Sequence, residues 1–95
     1  MRVLVLLLVC LPVFAAGASV DDWRNATLFD KVRAAEQWVI AVNAETHMLG
    51  RSPSEQSILE FAGSVVSCVD EFTTALSATG DVVPYAAICI DILSK

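Results

Sequence analysis

The sequence predicts an all-α protein, a small three-helix domain in which one long helix precedes an αα-hairpin, behind a cleaved signal peptide. Three observations carry this. Apolar residues recur at alternating steps of four and three through residues 22–49. Ser52-Pro53-Ser54-Glu55 opens a second, two-faced run. Residues 1–18 have the tripartite order of an export leader.

The leader is read first because it sets the compartment. Arg2 supplies a positive charge, residues 3–11 form an unbroken apolar core, and Pro12 breaks the helix. Ala15-Ala16-Gly17-Ala18 then offers small residues to a peptidase. Ala16-Gly17-Ala18 fits the small-x-small rule and puts Ser19 at the mature N-terminus. Val13-Phe14-Ala15 fits it too, three residues earlier. The competing reading is a retained anchor, since the charge-free run 3–20 reaches the lower limit of a bilayer span. Pro12 and the small residues after it favour cleavage. Residues 19–95 are then a single helical domain, secreted and extracellular. So short a chain buries a modest core and commonly needs a disulfide or a partner chain.

The full chain carries 6 basic and 11 acidic residues, a net charge of −5, and without Arg2 the balance becomes −6. No basic stripe exists, which excludes nucleic acid as a partner and argues against lysis of anionic membranes. Acidity here serves solubility. Cys10 leaves with the leader, so Cys68 and Cys89 remain, an even number in an oxidising compartment. They pair either within one chain or between two.

In the first segment Asp21 or Asp22 is the expected cap. Leu28, Val32, Ala35, Val39, Val42, Thr46 and Leu49 form the stripe, with Trp38 beside it and Phe29 and Ile40 off it. Gly50 is the expected left-handed terminator. In the second segment Ser52 is the expected cap, with Pro53 at the first helical position and Glu55 at the third. Ile58, Leu59, Phe61, Ala62, Val65, Val66, Cys68, Val69, Phe72 and Leu76 fill one face, and Gln56, Glu60, Ser64, Ser67, Asp70, Glu71 and Thr74 the other. That helix should lie on the surface and end within residues 77–80.

The third segment, residues 82–93, has one charge, and its apolar residues go all the way round a helix. Asp81 can cap it and Pro84 suits a first turn. A strand is the alternative, because Ile88, Ile90 and Ile92 alternate with Cys89, Asp91 and Leu93. A lone strand would have no partner in the monomer, so a helix is favoured.

The hairpin geometry constrains the cysteines. If the second helix ran to Thr79 and the third began at Pro84, Cys68 would face Lys95, about 9 Å along the helix from Cys89. That exceeds the reach of a disulfide. An intrachain bond therefore predicts a long loop from about residue 76 to residue 83.

Candidate functional residues are few. His47, the sole histidine, sits near a helix end without a nucleophile or metal partner at a known spacing. Asp21-Asp22 and Asp70-Glu71 lack the spacing and glycine of a calcium loop. Trp23 and Trp38 read as core or interface anchors. Asn25-Ala26-Thr27 is a glycosylation sequon. Asp91 is either at an exposed edge or buried and in need of a donor such as Tyr85. No phosphate loop, nucleophile elbow or metal constellation is present in the sequence, and the reading is not an enzyme, with no metal and no cofactor.

In format the chain is similar to the secretoglobins: a leader, a short acidic helical body and two mature cysteines. That family joins subunits through cysteines near the two ends of the mature chain. Here Cys68 and Cys89 both lie in the C-terminal half, and no motif is shared.

The function expected is that of a secreted, non-catalytic binding or carrier protein. Its apolar interior or dimer seam would meet a small apolar ligand or another protein. The third helix should leave an uncovered strip containing some of Val83, Ala87, Ile90 and Leu93, through which a homodimer forms. The alternative is a structural subunit that only assembles through this helix, or a piece of a larger helical domain.

Overall fold

A computed structural model describes residues 19–95; the expected leader, 1–18, lies outside the described residues. Four α-helices follow one another: α1 (Val20–Asn25), α2 (Leu28–Thr46), α3 (Glu55–Ala75) and α4 (Val83–Leu93). The long first helix expected from the stripe is thus two helices. Two local caps cause the break. Ser19, not Asp21 or Asp22, starts α1, and its hydroxyl accepts the Asp22 N–H while the Asp22 carboxylate accepts the Ser19 N–H. Thr27 then starts α2, its hydroxyl accepting the Asp30 N–H at 3.1 Å. Thr27 and Ala26 both adopt extended backbone, so the helix cannot run through them.

Two other boundaries differ from expectation. α2 ends on His47, which holds the left-handed conformation (φ 54°), and Gly50 (φ 94°) shapes the turn after it. Asn43 clamps that turn: its amide accepts the Leu49 N–H at 2.7 Å and donates to the Gly50 carbonyl at 3.0 Å. α3 is capped by Ser54, whose hydroxyl accepts the Ser57 N–H at 3.1 Å, so the helix starts two residues later than a Ser52 cap would place it. Ser52 and Ser54 offer the same acceptor, and the later register is the one used.

α3 lies between α2 on one side and α4 on the other, and α2 touches α4 only slightly. The core joins Ala35 and Val39 of α2, Ala62, Val65, Val66 and Val69 of α3, and Ala86, Cys89 and Ile90 of α4. Alanine and valine at most of these positions let the helices approach closely. α1 closes one end, with Val20 and Trp23 fully buried. Among the described residues the extended pairing is a single antiparallel bridge, Ser19 with Asp81.

The third segment is helical rather than extended, and the Asp81 carboxylate accepts the Val83 N–H at 3.0 Å. Pro84 sits in the first turn, where no N–H is needed. α3 stops at Ala75 and α4 starts at Val83, which leaves the long connection that an intrachain Cys68–Cys89 bond requires. That bond is formed, with Cα atoms 5.9 Å apart.

Removing the acceptor hydroxyl from α3 should separate the two candidate caps. Ser54→Ala should lower stability by about 1 kcal/mol, and Ser52→Ala by a few tenths at most. Urea unfolding of both variants checks this; a larger loss from Ser52→Ala would restore the earlier helix start.

Candidate functional site

Two regions hold the chemistry that the fold brings together. The first is the seat of α1. The Trp23 indole N–H donates to Asp70 Oδ1 at 2.7 Å, and Lys31 Nζ reaches the same oxygen at 3.1 Å. Lys31 also lies over the Trp23 ring, 5.5 Å from its centroid. Trp38 stacks on Trp23 with centroids 5.5 Å apart. Arg24 reaches the other way, its guanidinium donating to the carbonyls of Thr73 and Ala78 at 2.8 and 3.0 Å. Three separate segments, α1, the first turns of α2 and the end of α3, are thereby tied to one another. Every buried polar atom at this seat is used, so its role is to hold α1.

Asp70 is the residue that sequence pattern missed. It belongs to the polar side of α3 by period, yet it is half-buried and takes both donors. The Lys31 side chain is 15% exposed and that of Asp70 43%. Thr73 was equally hidden. It is buried, its hydroxyl donates to the Val69 carbonyl at 2.8 Å, and its own carbonyl receives Arg24.

The second region is the outer side of α4. Val83, Ala87 and Leu93 of the expected strip are exposed. Ile90 is not: it is 4% exposed and packs in the core. The helix turns Ala86, Cys89 and Ile90 inward as one face, Cys89 and Ile90 lying three and four positions after Ala86. The exposed apolar positions are instead Val83, Ala87, Ile88, Ile92 and Leu93. Asp91 stands among them at an exposed edge, 3.5 Å from Lys95, and Tyr85 is not its partner. Beside α4 runs an open groove of about 490 Å³, lined by Ser64, Ser67, Cys68, Glu71, Phe72 and Ala75 of α3 and by Leu93. Cys68, one half of the disulfide, is part of its wall.

The remaining candidates are scattered. Asn25 is exposed at the end of α1, its amide donating to the Asp21 carbonyl at 3.0 Å, and the sequon spans the break between α1 and α2. His47 is exposed and far from the cysteines in the chain. Among the described residues no group of three or more His, Cys, Asp or Glu side chains is placed to hold a metal ion. No helix of the described residues is long and apolar enough to cross a membrane. Leu28, expected in the α2 stripe, is 70% exposed, and Phe29, expected off it, is 68% exposed, with Arg33 lying over the Phe29 ring. They occupy the first turn after the break.

Comparison with family models, with curated proteins and with solved structures gave no match.

The seat of α1 has a direct test. Asp70→Ala leaves the indole N–H and the Lys31 ammonium without their common acceptor, and should cost about 1–3 kcal/mol. Thermal unfolding followed by tryptophan fluorescence measures it, and an unchanged midpoint would show that the indole bond contributes nothing. Cys68→Ser with Cys89→Ser should cost about 3 kcal/mol, read from urea unfolding of the double variant.

Proposed function

We propose that this chain is a secreted, non-catalytic binding protein that self-associates through the outer side of α4, with the adjoining groove holding a small apolar ligand at the seam. One observation carries the reading. The outward side of α3 is polar, with Gln56, Glu60, Ser64, Ser67, Glu71 and Thr74, whereas that of α4 presents Val83, Ala87, Ile88 and Ile92. Leu59 is the one large apolar side chain exposed within α3, against Val83, Ile88, Ile92 and Leu93 on the much shorter α4, and an apolar side of that kind marks a contact side.

The groove deepens the reading. Its size falls within the range of small-molecule sites, and Phe72, Ala75 and Leu93 supply apolar walls. It is open in the single chain, so a second copy laid on α4 would supply the missing side. Secretion is supported by the order of Arg2, the apolar core and the small-residue site, and by the disulfide. Asn25, exposed at a helix break, is available for glycosylation wherever the host attaches N-glycans.

The runner-up is an assembly subunit with no ligand, and the two part on one measurement. Sedimentation over a range of concentrations should give a dimer for the native protein. Ile88→Asp with Ile92→Asp should give a folded monomer, because both side chains are about half exposed in the single chain. A long-chain fatty acid should raise the melting temperature of the native dimer and not of the variant. A dimer indifferent to fatty acids favours the assembly subunit. A native protein that stays monomeric and gains no stability from them overturns the proposal.

A further inference from the structure

A leader peptidase leaves behind a new charged group, and the fold has a place for it. Ser19, the expected first residue after cleavage, is also the N-cap of α1. Its backbone N–H donates to Asp22 Oδ2 at 3.3 Å, and its hydroxyl accepts the Asp22 N–H at 3.0 Å. Ser19 pairs with Asp81 across the antiparallel bridge. The next residue, Val20, is fully buried and its N–H is bonded to the Gly80 carbonyl. The backbone nitrogen of Ser19 therefore has one acidic partner, the Asp22 carboxylate, and the residue that carries it is held to the distant loop at Asp81 through the backbone.

We infer that hydrolysis of the Ala18–Ser19 bond creates a structural ion pair, the Ser19 α-ammonium with the Asp22 carboxylate, so that processing tightens the attachment of α1. The inference rests on the secretory reading. In the hydrolysis the C–N bond breaks, and the hydroxyl of water goes to the Ala18 carbonyl. Water's hydrogen goes to the Ser19 nitrogen, which takes a further proton from solvent near neutral pH. A neutral N–H donor becomes a cation with three donors, and a charge-assisted hydrogen bond is roughly twice as strong as a neutral one.

The groups facing that nitrogen decide the sign. On α1 they are Asp21, Asp22 and Arg24, and Arg24 is engaged by Asp21 at 3.6 Å and by the carbonyls of Thr73 and Ala78. On the loop before α4, Asp81 is bridged to Ser19 through the backbone, and its carboxylate accepts the Val83 N–H. The start of a helix disfavours a cation, and two acids in its first turn offset that. Pairing favours the charged amine. Its contribution is therefore complete below the ordinary α-amine range, about 7.7–8.0, and is lost as the pH rises beyond it.

The alternative cut after Ala15 would place the amine on Ala16, three residues before Ser19, and leave the Ser19 nitrogen an amide. A cut within α1 would remove the cap. Only cleavage before Ser19 delivers the ammonium to the carboxylate.

The experiment compares the exported protein with the same chain carrying one extra glycine before Ser19, each with and without Asp22→Asn. Intact mass of the exported protein should place its first residue at Ser19. At about pH 6 the glycine extension should lower the melting temperature by about 2–5 °C. The difference should vanish at about pH 9.5, where the amine is neutral, and in the Asp22→Asn pair. Asparagine can still accept a hydrogen bond, so both variants keep a cap and fold. An exported chain starting at Ala16 overturns the inference while leaving secretion intact. A chain starting at Ser19 whose stability ignores the extension, or responds equally in the Asp22→Asn pair, overturns the ion pair. A protein that keeps its leader overturns the secretory reading and the inference together.

Discussion

The Cys68–Cys89 bond sets the register on which the other contacts depend. It holds two Cα atoms 5.9 Å apart on antiparallel helices, so α3 and α4 cannot slide against each other. With that register the chain needs the whole of residues 76–82 to turn round. The long turn is then not idle. The Ala78 and Gly80 carbonyls and the Asp81 backbone face α1, receiving Arg24, the Val20 N–H and Ser19 in turn. A shorter turn would lack these acceptors. Fixing one pair of sulfurs thus decides where the N-terminal helix can sit.

Once α1 is seated, Trp23 becomes the plug for one end of a core built of small side chains. The largest fully buried side chain is this indole, and most of its companions are valines and alanines. Such a core gains little from any one residue. Polar contacts around the indole therefore matter more than they would in a larger protein, and Asp70 collects them from two elements at once. Ion pairs elsewhere, Arg24 with Asp21 and Lys95 with Asp91, are exposed and add little.

Helix content and hairpin order were legible because they rest on repeating patterns. The apolar face of α3 pointed to an end within residues 77–80, later than the observed Ala75; only the condition of an intrachain cysteine bond called for the earlier stop. What stayed hidden depends on one hydroxyl or one carboxylate. Thr27 interrupts the expected long first helix because its hydroxyl and the Asp30 N–H close a local cap, and no period announces that. Ser54 takes the place of Ser52 for the same kind of reason. Ile90 was placed outside and lies inside, because an all-apolar helix carries no periodic signal of which side turns inward. The outward apolar positions of α4 became visible only with the fold. Asp70 reads as a solvated acid until Trp23, 47 positions earlier, is brought to it.

The seat of α1 also dictates an order of events. Arg24 is bonded to carbonyls 49 and 54 positions further along, and Val20 to the Gly80 carbonyl. A ribosome delivers α1 first and its acceptors last. Until residues 70–81 have emerged, Trp23 can meet only Trp38 and Lys31, and α1 lacks the carboxylate and carbonyls that hold it. The domain therefore cannot assemble progressively from its leading end, and docking of the first helix belongs to the closing stage of folding, after the C-terminal hairpin exists.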